Sequence, residues 1–276
     1  RSPGHDFQHV NWDRTQSPDQ AWRHAGQLPT AGAAVDLVNS GEAVLIQDEP
    51  RIRIVLSASG EGERQVSKIY RTPLALTWRD LFRYPQAQRE HENLQYASEK
   101  GLAVARSLGF GLSRRLGSDW YSQLTTIFLE GETLRDVLAR TTADRHVLIS
   151  RAGQLVAAMH RAGLVWGTAH TGNFMVHSDA DGSLTAFDLP YAYFSGQNMV
   201  GGRLALYDIW NMTVDMRTQC GLDESVVQCF FDAYASVAET NADSLKAGVD
   251  ARTGRNSVFP ERLFIRTVRS FRLKPI

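Results

Sequence analysis

From Glu42 to Arg71, short apolar runs alternate with polar residues at roughly the two-residue period of a half-buried strand: AVLIQ, then RIRIVLSA, then QVSKIYR. Asp48-Glu49-Pro50 and Ser59-Gly60-Glu61-Gly62 separate these runs, and three strands joined by tight turns make an antiparallel meander. The rhythm then changes. Glu90, Asn93, Leu94 and Ala97 recur at helical spacing and predict a helix from about Gln86 to Lys100. Ser107-Leu108-Gly109-Phe110-Gly111 reads as a glycine-bearing turn, and the β-branched and apolar segment Ser122 to Leu129 as a further strand running into Glu130-Gly131. Gly131-Glu132-Thr133-Leu134 opens another helix. His146 to Met159 makes the next, with Leu148, Ala152, Leu155, Val156 and Met159 at spacings of three and four.

His160-Arg161-Ala162-Gly163 closes that helix, and a short loop leads to two apolar runs, NFMVH and LTAF, around the turn signal Asp179-Ala180-Asp181-Gly182. The pattern is helix, loop, hairpin, and then a single acid, Asp188. Helices continue through Asp223 to Glu239. In the tail, PERLFIRTVRSFRLK places Arg262, Arg266 and Arg269 on one helical face and Phe264, Val268 and Phe271 on the opposite one. Such a helix packs its apolar face on its own domain, the outcome we expect, or rests on anionic lipid. Ahead of the strands, residues 1–40 are a polar extension with one helix-start signal, Ser17-Pro18-Asp19. The fold class is α+β, with the extension followed by a sheet-bearing part, 41–130, and a mainly helical part, 131–276.

A chain of 276 residues that is 43% hydrophobic can bury a full core. Its 30 basic residues equal its 30 acidic ones, so no nucleic-acid partner is expected. No run approaches the roughly eighteen apolar residues of a membrane span, and the first residues lack the features of a signal peptide, which together point to the cytoplasm. Cys220 and Cys229 lie nine residues apart without CxxC spacing, and none of the eight histidines forms an HExxH pair. Lysine occurs only at Lys68, Lys100, Lys246 and Lys274.

Three features carry chemistry. Asn173 and Asp188 stand fifteen residues apart at the two ends of the hairpin, an amide oxygen and a carboxylate suited to Mg2+, which prefers hard oxygen donors and travels with nucleotide phosphates. Lys68, in VSKIY, shares a strand face with Val66 and Tyr70 and needs a partner for its partly desolvated charge. The turn Asp48-Glu49-Pro50 ahead of it has no glycine and two acids, and there is no GxxxxGK[ST] motif.

HRAG, then WGTAHTGN, then FDL resembles the catalytic loop and metal-binding aspartate of the protein-kinase-like fold. It is most similar to the bacterial lipopolysaccharide kinases, the Kdo and heptose kinase family, and more loosely to aminoglycoside and choline kinases. The resemblance implies a bilobal fold with a small antiparallel-sheet N-lobe and a mainly helical C-lobe, and ATP with Mg2+ as cofactors. It assigns Lys68 to the α and β phosphates and Glu90, in the Glu90 to Leu94 run, as its counter-ion, with Glu92 the competing choice. Backbone beside Glu130 would read the adenine edge, and Asn173 and Asp188 would hold the metal. His160 would close the helix before the loop, and Asp208, in Tyr207-Asp208-Ile209-Trp210, would accept hydrogen bonds from loop backbone.

One position departs from the pattern. Such loops carry an aspartate five residues before the asparagine, where this chain has Thr168, and a hydroxyl without a basic form near neutral pH cannot serve as general base. His170, two residues on, is expected to brace the loop, with a surrogate base as its alternative role. Only twenty residues separate Asp188 from Asp208, which favours a small hydroxyl acceptor over a protein substrate. Two functions follow from the resemblance. The first is a pseudokinase of envelope biosynthesis that binds nucleotide, a lipopolysaccharide-type glycolipid or an envelope-biosynthesis protein with little turnover. The second is an active kinase acting on a sugar hydroxyl of the lipopolysaccharide core. Either would be cytoplasmic, with peripheral contact at the inner membrane through 262–274.

Overall fold

Hydrophobic alternation becomes a sheet in the first part of the chain. Val44–Asp48 (β1), Ile52–Ala58 (β2) and Arg64–Thr72 (β3) pair antiparallel in succession. β3 also pairs with Trp120–Ile127 (β5), whose other edge takes Ser107–Ser113 (β4), so the order is β1-β2-β3-β5-β4. The β1–β2 turn closes on itself: Glu49 N–H donates to the Ile52 carbonyl at 2.9 Å and Ile52 N–H to the Glu49 carbonyl at 3.3 Å. Leu56, Ile69, Tyr70, Trp120, Tyr121 and Leu124 are buried on this sheet. The register sets Lys68 opposite Ile54 on one side and Leu124 on the other, in the central strand.

The computed structural model describes residues 44–58, 63–76, 85–113, 119–177, 182–252, 261, 263 and 264. The extension 1–40 with Ser17-Pro18-Asp19, the turn Ser59-Gly60-Glu61-Gly62, the hairpin residues Asp179-Ala180-Asp181, and Arg262, Arg266, Val268, Arg269 and Phe271 of the tail lie outside the described residues.

The segment read as a turn at Ser107 to Gly111 is instead part of β4. Glycine disfavours a strand interior, but here β5 supplies the ladder, and the register shifts between Ser107 and Gly109 to admit a bulge. Both Gly109 and Gly111 are buried, and Phe110 packs on His91 with ring centroids 5.3 Å apart.

Gln86–Glu99 (α1) follows the helical spacing, burying Ala87, Glu90, Leu94 and Ala97. The chain forms two compact units, Arg1–Glu92 with Arg106–Phe128, and Asn93–Ala105 with Leu129–Ile276, so α1 begins in the first and ends in the second.

In the second unit, Leu134–Arg140 (α2), Arg145–Arg161 (α3), Arg203–Thr218 (α4), Glu224–Ala238 (α5) and Ala242–Asp250 (α6) build a helical core. Glu132–Thr133 (β6), Phe174–Val176 (β8) and Leu184–Ala186 (β9) form one small sheet, and Leu164–Val165 (β7) pairs with Tyr193–Phe194 (β10). The β8–β9 pair is the hairpin between Asn173 and Asp188. Phe264 of the tail packs edge-to-face on Tyr193, centroids 5.2 Å apart, and joins Tyr191 and Trp210 against buried Tyr207. Among the described residues no helix is long and apolar enough to cross a membrane.

α3 and α5 approach closely at Gly153, where an added Cβ would stand 2.5 Å from the Phe230 carbonyl oxygen and 3.2 Å from the Tyr234 nitrogen. Both neighbours are helical backbone and cannot swing aside. Gly153→Ala should therefore destabilise the protein by about 1–3 kcal/mol, the usual range for overpacking. Urea denaturation with an unchanged m value and a lowered midpoint is the expected readout; an unshifted midpoint would show that the helices can separate at little cost.

Candidate functional site

In the first unit, β3 delivers Lys68 and α1 delivers Glu90. Lys68 Nζ lies 3.0 Å from Glu90 Oε1, and the Tyr70 hydroxyl donates to Glu90 Oε2 at 2.6 Å. Glu90 is 1% exposed, so both carboxylate oxygens are partnered where an unpaired charge would be costly. Tyr70 sits two residues beyond Lys68 and therefore on the same strand face, which is how one carboxylate meets both. Glu92, half-buried, accepts from Gln88 Nε2 at 3.2 Å, so it is Glu90 with which Lys68 pairs.

In the second unit, the segment between α3 and β8 is gripped by two carboxylates from α4. Asp208, 0% exposed, accepts from the backbone N–H of Trp166 and, at 2.7 Å, from that of Gly167. His160, in the last turn of α3, donates from Nε2 to Asp208 Oδ2 at 3.2 Å, while its Nδ1 lies 2.7 Å from the Tyr234 hydroxyl. Burial, and after it the charge of Asp208, pushes the Tyr234 phenol above its ordinary pKa. Seven residues along α4, Asp215 accepts from both the backbone N–H (2.8 Å) and the hydroxyl of Thr171, and takes Arg135 of α2 at 2.6 Å.

The sequence singled out Asp208 but not Asp215, Arg135 or Thr171. A seven-residue step on one helix returns to nearly the same face, so the Asp208–Asp215 spacing was the available signal for the second grip. Arg135 and Thr171 carry no comparable pattern.

Between the grips lies Thr168. Its carbonyl accepts from Asn173 Nδ2 at 3.2 Å, and its hydroxyl oxygen is buried without a hydrogen-bond partner. Asn173 and the Asp188 side meet at the open end of the hairpin: Phe187 N–H donates to the Asn173 carbonyl at 3.0 Å, just outside the Phe174↔Ala186 pair. Asp188 itself adopts φ 62°. Glu130 is exposed, two residues after the chain leaves the first unit at Phe128.

His170 Nδ1 lies 3.4 Å from an Arg135 guanidinium nitrogen. Arginine only donates, so Nδ1 accepts and the ring proton sits on Nε2. In that tautomer the ring's lone pair faces Arg135. Burial holds the His170 pKa below its ordinary value, against the upward pull of Asp215 and with a further downward push from Arg135.

The donor set fits Mg2+ brought in with phosphates. The Asn173 amide nitrogen is engaged with Thr168, so its oxygen is the atom that would ligate, and Asp188 would add a carboxylate. Both are hard donors. Among the described residues no three or more His, Cys, Asp or Glu side chains gather as a metal cage.

The family model of the lipopolysaccharide kinase (Kdo/WaaP) family matches residues 47–189, just over half of the 276-residue chain. No curated protein matches. Among solved structures the fold is similar to that of WaaP in complex with acyl carrier protein, at 17% identity and TM-score 0.58 over 83% of this chain and 96% of that one. It is also similar to amicoumacin kinase hAmiN in complex with AMP-PNP, Ca2+ and Ami, at 12% identity and TM-score 0.57 over 92% and 93%. A third likeness is the Rio2 kinase ADP/Mg2+-phosphoaspartate complex from Chaetomium thermophilum, at 14% identity and TM-score 0.50 over 82% and 69%. The chain belongs to the lipopolysaccharide kinase (Kdo/WaaP) family, and its fold is protein-kinase-like.

The lowered His170 pKa has a thermodynamic sign. Below the unperturbed value of 6.5 the unfolded chain takes a proton that folded His170 resists, so stability is lost as pH falls from 7 towards 5. His91, lowered chiefly by burial, acts in the same direction. His170→Gln keeps an acceptor for Arg135 but removes the titration, and its stability should fall less steeply over that range in chemical denaturation. Identical slopes for the two proteins would mean that His170 titrates alike folded and unfolded.

Proposed function

We propose that the chain binds ATP with Mg2+ and turns it over slowly or not at all, acting in envelope biosynthesis as a pseudokinase. Its partners would be a lipopolysaccharide-type glycolipid or an envelope-biosynthesis protein. Lys68 would meet the α and β phosphates with Glu90 as its counter-ion, backbone beside Glu130 would read adenine, and Asn173 and Asp188 would hold the metal. Mg2+, when bound, supplies neutralising charge at the phosphates. Peripheral contact with the inner membrane through 262–274 belongs to the same reading.

The observation that carries it is Thr168. An alcohol with no basic form near neutral pH stands where the resembled loops have their proton acceptor, and its oxygen is turned into the protein. Loss of a general base costs roughly a hundred- to ten-thousand-fold in rate. The β1–β2 turn supports the same conclusion. Its Glu49 and Ile52 N–H groups are engaged with each other's carbonyls rather than held for a phosphate, and Glu49 keeps its carboxylate beside Gln47 at 2.6 Å.

A second reading, an active ATP- and Mg-dependent kinase of a lipopolysaccharide-core sugar hydroxyl, is favoured by the intact Lys68–Glu90 pair. Phosphoryl transfer rests mainly on positioning and electrostatics, so a held nucleotide can retain some rate without a base.

ATP titrated calorimetrically into the protein, with and without Mg2+, separates these readings from a scaffold without a nucleotide site. Saturable, metal-dependent binding that is lost in Lys68→Ala and Asp188→Asn is expected, and no binding at millimolar ATP would sink both. Turnover is then read as labelled phosphate passed from ATP to purified lipopolysaccharide. Thr168→Asp should raise it about a hundredfold or more, whereas a wild-type rate equal to that of the variant would favour the active kinase.

A further inference from the structure

Asp188 is one of two non-glycine residues with positive φ among the described residues, and the other, Glu239, simply caps α5. Left-handed backbone is unfavourable for an L-residue, and such a conformation persists only where the surroundings over-determine it. Four hydrogen bonds do so here. The peptide before Asp188 is fixed by Phe187 N–H on the Asn173 carbonyl at 3.0 Å. The Asp188 carbonyl accepts from the indole Nε1–H of Trp166 at 3.0 Å. Beyond it, the side-chain amide of Asn93 donates to the carbonyls of Leu189 at 2.5 Å and Ala192 at 3.2 Å.

Asn93 is 3% exposed and Trp166 is 1% exposed, so neither bond competes with bulk water. Only a primary amide of this length supplies two N–H donors at this point. Aspartate would set an acceptor against two carbonyls, alanine would leave both buried carbonyls without this donor, and glutamine is one methylene too long. Asn93 also follows Glu90 by one helical turn. The helix that carries the counter-ion of Lys68 therefore carries the tether of the Asp188 turn as well.

We propose that Asn93, assisted by Trp166, is a positioning residue for metal-nucleotide binding: it holds the backbone on the carboxyl side of Asp188 so that the carboxylate is presented in its left-handed conformation. This rests on the reading of Asp188 as a metal ligand. Residues that orient a ligand without touching the metal typically control tenfold to a hundredfold of metal affinity.

The test compares the Kd of AMP-PNP with and without Mg2+ by calorimetry, alongside urea denaturation, for the wild type, Asn93→Ala, Asn93→Asp, Trp166→Phe and Asp188→Asn. Trp166→Phe removes the indole N–H while keeping a ring against Phe174, whose centroid lies 5.0 Å away, so it reports even if the Asn93 variants fold poorly. Asn93→Ala and Trp166→Phe should shrink the Mg2+-dependent gain in affinity about tenfold or more, Asn93→Asp further still. Metal-free affinity should stay within about twofold of wild type, a split that a general loss of stability would not produce. A full Mg2+ gain in folded Asn93→Ala or Trp166→Phe, with the gain lost in Asp188→Asn, would overturn the positioning role while leaving the metal site standing. A gain that survives Asp188→Asn, or is absent from the wild type, would overturn the metal-site reading and the positioning role with it.

Discussion

A buried carboxylate on α4 organises the second unit. Asp208 has no exposed surface and satisfies its oxygens with two successive backbone N–H groups, those of Trp166 and Gly167, and with His160. Desolvation would make such a group costly if any partner were lost, so the three donors and the acid define one another's positions. The His160 ring passes the constraint on to Tyr234 in α5. α3, the loop and α5 are thus referred to a single side chain, and Asp215 repeats the device two turns along at Thr171.

That arrangement explains how a loop can keep its shape while position 168 changes. Its backbone is held on one side by Asp208 at residues 166 and 167, on the other by Asp215 at residue 171, and in the middle by the Asn173 amide on the Thr168 carbonyl. None of these bonds involves the side chain of residue 168. The frame is therefore independent of which side chain stands at that position. The Thr168 side chain itself is a local cost: a buried hydroxyl without a partner, which forfeits about 1–3 kcal/mol.

Much of this is legible in the sequence. The meander, the helix at Gln86, the helix closing at His160 and the hairpin between Asn173 and Asp188 all follow from periodicity and turn residues, because each is decided locally. β4 was not legible, since glycines at positions 109 and 111 mask a strand whose pairing is supplied by β5. Nor were Arg135, Asp215 and Thr171, because a side chain that reaches a backbone N–H forty-four residues away leaves no spacing to read. Asn93 was visible as a helical position, yet its two carbonyl acceptors lie almost a hundred residues further on.

α1 contributes a side chain to each of two such ties, one in either unit. It belongs to the first unit through Glu92 and to the second from Asn93. Glu90 and Asn93 stand about 4.5 Å apart along its axis. The first takes Lys68 and Tyr70, and the second donates to the backbone beyond Asp188.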